Sequence, residues 1–139
     1  MFRFMIAVSL IFSPLLVTSC ATSATVRAAD VSAGQSQDFT GSYDLLRAAA
    51  LQAVERMNVD VQGSDETPER FQIRFSKPVS AFSWGEVGVV NVVRVNETTT
   101  RVFVNSERRH QLQVTGTSEQ QFANEIFGNI TEALAQLQP

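Results

Sequence analysis

The sequence predicts an α+β fold, a two-layer sandwich in which an antiparallel sheet of three to five strands carries two helices on one face. Three observations lead there. In residues 43–58, Leu46, Ala50, Val54 and Met57 recur at helical spacing. Residues 71–76 alternate Phe71, Ile73 and Phe75 with Gln72, Arg74 and Ser76, the period of a half-buried strand, and 87–95 and 100–105 follow as further strands. Residues 118–137 return to the helical period with Phe122, Ile126, Ile130, Leu134 and Leu137. Helices flanking consecutive antiparallel strands pack on one sheet face and leave the other to water.

The chain opens differently. Arg3 supplies a positive start and residues 5–17 form an apolar run, the length of a signal-peptide core and too short for a spanning helix. Residues 1–19 are therefore expected to be cleaved, leaving 120 of the 139 residues, enough for one domain. The formal charge of −3 becomes −4 without Arg3. Such a mildly acidic chain lacks the basic footprint of nucleic-acid binders.

Residues 20–38 change in composition to Ala, Ser, Thr, Gly and Gln, with Val26 and Val31 isolated. The absence of an apolar period reads as a flexible spacer, in which a coil of residues 21–38 would average about 23 Å. The folded domain is then expected over 39–139.

In that domain Ser42 suits the N-cap of the first helix, with Asp44 in its first turn where the helix dipole favours an acid. Val59 and Val61 begin a short alternation, and 63–68 reads as a turn. Pro78 ends the strand at 71–76, and Val79, Phe82 and Trp84 suit an edge segment or a covering loop. Asn96 to Thr99 marks a hairpin into 100–105, with Val102 and Val104 on one face and Phe103 on the other. Leu112 and Val114 could add a short extension. Ser118 with Gln121 forms a capping box for the last helix, whose Gly128 costs about 1 kcal/mol relative to alanine unless another backbone approaches closely.

The tetrapeptide Val17-Thr18-Ser19-Cys20 closes the apolar run and holds the only cysteine. It resembles the bacterial lipobox: an aliphatic residue, two small residues, then cysteine. In that family the thiol receives a diacylglycerol, the chain is cut between the positions of Ser19 and Cys20, and the new amine is usually acylated. The resemblance implies a lipoprotein of the cell envelope. A single myristoyl-sized chain binds a bilayer at only about 10⁴ M⁻¹, so two or three chains on Cys20 would make attachment effectively permanent. Ala21, in place of aspartate, resembles the sorting pattern of lipoproteins sent to the periplasmic face of the outer membrane. In layout, residues 43–137 resemble small uncharacterised bacterial lipoproteins with an α-β-β-β-α periplasmic domain. A weaker likeness is to helix-grip-like envelope lipoprotein domains that assist outer-membrane assembly.

Chemistry is sparse. Zinc sites draw on several His or Cys ligands, and here His110 is the only histidine and Cys20 the only cysteine. Nucleophilic sites need a base beside the nucleophile, and neither a phosphate loop nor a Gly-x-Ser-x-Gly elbow occurs. Asp60, Asp65, Glu66 and Glu69 gather around a polar turn, where solvation outweighs weak calcium binding. No enzyme activity, metal or cofactor beyond the covalent lipid is expected.

Two surfaces are candidates for a partner. If Phe71, Ile73 and Phe75 face the helices, the opposite face holds Gln72 and Arg74, with Val90, Val92 and Phe103 as an apolar patch; a covering segment or a bulge near Asn91 would explain the same pattern. On this reading Gln72→Ala matters little. The second is Arg108, Arg109 and His110, with Arg101 nearby, as a contact for an anion or lipid headgroup. The expected function is a non-enzymatic, membrane-anchored interaction module with an envelope protein partner. The alternative is a carrier enclosing a small hydrophobic ligand or lipid between helices and sheet.

Overall fold

The computed structural model describes residues 22–79, 85–108 and 118–138. Its elements run α1 (Ser23–Ala28), β1 (Gln35–Thr40), α2 (Tyr43–Glu55), β2 (Asp60–Glu66), β3 (Phe71–Lys77), β4 (Glu86–Arg94), β5 (Thr99–Arg108) and α3 (Glu119–Leu137). The strands form one antiparallel sheet in the order β1-β5-β4-β3-β2, so the fold is an α+β sandwich.

Local chemistry sets both long helices. Ser42 accepts from the Leu45 amide at the start of α2, and Asp44 lies in its first turn. At α3, Ser118 and Gln121 exchange bonds as a capping box. α2 buries Leu46, Ala49, Ala50, Ala53 and Val54; α3 buries Phe122, Ala123, Ile126, Phe127, Ile130, Ala133 and Leu134. Both stripes meet the same sheet face, built from Phe71, Ile73 and Phe75 of β3, Val90 and Val92 of β4, and Val102 and Val104 of β5. The rings of Phe75 and Phe122 stack across the layer at 5.2 Å. Gly128 has nothing within 4 Å of where a β-carbon would stand, so no close backbone contact explains it.

Connectivity follows from distance. β1 and β2 lie on opposite edges of the sheet, four strand spacings or about 19 Å apart. The 13 residues of α2 extend about 20 Å and make that crossing on the helix face.

The N-terminal segment departs from expectation. Residues 22–40, read as spacer up to 38, hold α1 and β1, so folded structure is already present well before Phe39. Thr22 and Thr25 form a capping box, and β1 pairs in register with β5 from Gln35↔Val104 to Thr40↔Thr99. α1 lies on the sheet face opposite α2 and α3, where Val26 closes a small cluster with Val87 and Val89. Two further details differ. Residues 63–66, read as turn, belong to β2, and the turn follows at 67–70, closed by the Thr67 amide on the Arg70 carbonyl. The sheet's irregularity falls between Val61 and Gly63 of β2, while β3, β4 and β5 pair without a shift at Asn91.

Candidate functional site

The sheet face away from the two long helices was the expected docking surface, and register decides which residues reach it. Ile73 pairs with Val90 and Phe71 with Val92. Paired residues share a face, so Val90 and Val92 point at the helices, and neither has any exposed surface. They leave the candidate surface and join the core. The physical reason is that β4 is buried on both sides, from Glu86 to Val92, which removes the alternation that reveals parity.

The opposite face instead presents Gln72, Arg74 and Ser76 of β3, Val87, Val89 and Asn91 of β4, and Phe103 of β5. α1 covers its centre. Gln72 and Asn91 are both 2% exposed, and the Gln72 amide nitrogen donates to Asn91 Oδ1 at 2.9 Å. Phe103 lies on this face as expected, half-buried between Asn91 on one side and Ser36 on the other. The covered patch of Val26, Val87 and Val89 escaped the sequence reading. Its one visible signal was Thr22 three residues before Thr25, a cap with no apolar period behind it.

The basic surface is divided. Arg101 faces away from the long helices and makes a two-pronged bond to Asp38 on β1, at 2.5 and 2.8 Å. That guanidinium holds the Asp38 carboxyl below its ordinary range. Arg108 lies seven residues along the strand on the other face, so the expected grouping of Arg101 with Arg108 does not form. Arg109 and His110 lie outside the described residues, as do Ser19, Cys20, Phe82, Trp84, Leu112 and Val114.

Arg108 instead ends a charged row. Lys77, Glu86 and Arg108 are register partners across β3, β4 and β5, facing the N-terminal turn of α3. Glu86 is 2% exposed, and its Oε1 has no hydrogen-bond partner among the described residues. Burial pushes its carboxyl above the ordinary range; Lys77 and Arg108 pull it back, and Glu119 adds to the rise.

Two of the four acids expected around the turn are ion-paired. Asp65 meets Arg74, and Glu66 meets Arg47 of α2. Among the described residues no group of three His, Cys, Asp or Glu side chains could hold a metal. Nor is any helix among them long and apolar enough to cross a membrane. The helix–sheet layer leaves Leu46, Ile73, Val90, Val102, Ile126 and Ile130 no solvent-accessible surface. No protein-family model and no curated protein matches this chain.

Proposed function

We propose that the chain is a lipid-anchored protein of the bacterial envelope whose α+β domain acts by contact with other envelope components. The observation that carries this reading is Val17-Thr18-Ser19-Cys20 at the end of the apolar run, with Cys20 the single cysteine. Acyl chains on Cys20 would hold the domain to the membrane, and Ala21 favours the periplasmic face of the outer membrane.

Contact is favoured over transport of a ligand by the packing of the core. A cavity large enough for a lipid leaves accessible area on its walls, and Leu46, Ile73, Val90, Val102, Ile126 and Ile130 at the centre of the helix–sheet layer have none. Phe103 and the Arg108 to Arg109 stretch stay as candidate contacts for a partner, without Val90 and Val92.

The test is acylation. Cells fed labelled fatty acid should label the wild-type protein, and Cys20→Ala should be unlabelled and leave the membrane fraction. Label retained by Cys20→Ala would overturn the anchor and the localisation together.

A further inference from the structure

The distance between anchor and fold is far shorter than a spacer would allow. A single residue, Ala21, separates Cys20 from Thr22, the N-cap of α1. Two consecutive Cα–Cα steps reach at most about 7 Å. A coil over residues 21–38 would instead average about 23 Å and let the domain turn freely.

α1 is itself held on the sheet. Val26 is 1% exposed against Val87 and Val89. At the start of the helix, the Ser23 hydroxyl donates to Gln62 Oε1 on β2 at 3.0 Å, and the Gln62 amide nitrogen donates to Ser76 Oγ at 2.9 Å. The chain therefore begins at the β2 edge. It then crosses the face opposite α2 and α3 and enters β1 at the other edge, about 19 Å away. There Gly34 presses onto β5, with a β-carbon at that position falling 2.1 Å from the Val104 carbonyl oxygen. Both ends of the crossing are fixed.

We propose that α1 is a fixed mount, which sets the domain on the bilayer in one orientation with the corner of the β2 edge at Asp60 and Gln62 beside the lipid. The proposal rests on Cys20 being the acylated residue. The opposite end of the sheet, at the turn between β4 and β5, then points away from the membrane and toward partners.

The experiment uses the full mature lipoprotein in vesicles of phosphatidylethanolamine and phosphatidylglycerol that carry a spin label on the headgroup. With Cys20 acylated, a fluorophore is attached to a new cysteine at an exposed site, Asp60→Cys at the start of β2 or Glu97→Cys in the β4–β5 turn. Asp60 pairs with Ser76, which pairs with Val87, seven residues before the end of β4 at Arg94; the Glu97 turn is thus more than about 23 Å from Asp60 along the strands. Headgroup quenching should be at least fivefold stronger at 60 than at 97. An 18-residue Gly-Ser insertion between Ala21 and Thr22 should remove that difference. Equal quenching at the two sites in vesicle-bound protein, or stronger quenching at 97, would overturn the mount while leaving the anchor intact. Protein that fails to float with the vesicles would overturn the anchor, and the mount with it.

Discussion

The ring of Phe75 occupies the space above Gly88, its partner across β3 and β4: a β-carbon at residue 88 would stand 2.3 Å from the ring's Cζ. The same ring stacks on Phe122 of α3, so one side chain joins two strands and a helix. Phe75→Ala should cost about 3–5 kcal/mol. Gly88→Ala should also destabilise, because Phe75 and the Asn105 carbonyl both stand in the way. Combining Gly88→Ala with Phe75→Leu should cost less than the two single losses added, since the smaller side chain vacates the contested space. Urea unfolding of the soluble chain from residue 22 checks this, and strict additivity would refute the contact.

Gln72 was expected to be dispensable, and its burial reverses that expectation. Its bond to Asn91 lies under the α1 side of the sheet. Gln72→Ala strands a buried acceptor and should cost about 1–3 kcal/mol, whereas replacing both residues by leucine should be less damaging than the single change. A double variant weaker than either single variant would show that the bond is not the source of the cost.

Charge placed at Val90 separates core from surface. Val90 has no exposed surface and pairs with Ile73 beneath the helices, so Val90→Asp should abolish the cooperative transition. Phe103→Ser, at a half-buried position on the other face, should leave a cooperative domain. Circular dichroism on heating distinguishes them, and a folded Val90→Asp would mean that β4 has the opposite parity.

Glu86 makes stability depend on pH. Its carboxyl is raised in the folded chain, burial being the main cause. Its contribution is therefore fully present below the unfolded value of about 4.3 and is lost as pH rises through the folded one. Glu86→Gln removes this loss. The variant should gain on the wild type as pH rises above the ordinary carboxylate range, compared by urea midpoints. A gap that instead moves against the variant as pH rises would mean that the attraction of Lys77 and Arg108 outweighs burial.

Gly34 is the test of β1. Its φ is +87° and its α-carbon lies against the Val104 carbonyl, so Gly34→Ala combines an unfavourable backbone with a clash. Amide exchange across Gln35–Thr40 should accelerate at least tenfold while the protons of β3 and β4 stay protected. Uniform acceleration across the sheet would mean that β1 does not open separately.

Which parts of this protein were legible in the sequence follows from how far each signal reaches. The stripes of α2 and α3, the Ser42 cap and the Ser118–Gln121 box depend on residues within one or two turns and are found where their spacing places them, except that Met57 lies beyond the end of α2 and Leu137 is exposed. β3 declares its parity because Phe71, Ile73 and Phe75 alternate with Gln72, Arg74 and Ser76. By contrast, Val90 and Val92 lie in a stretch buried on both faces, and only pairing with Ile73 and Phe71 assigns them a side. α1 and β1 carry almost no periodic signal. Val26, the buried Phe39, the Asp38–Arg101 pair and a row of backbone bonds to β5 hold them, and all require a sheet that forms from residues up to seventy positions away. Their composition suits a coil, and tertiary contact is what makes it structure.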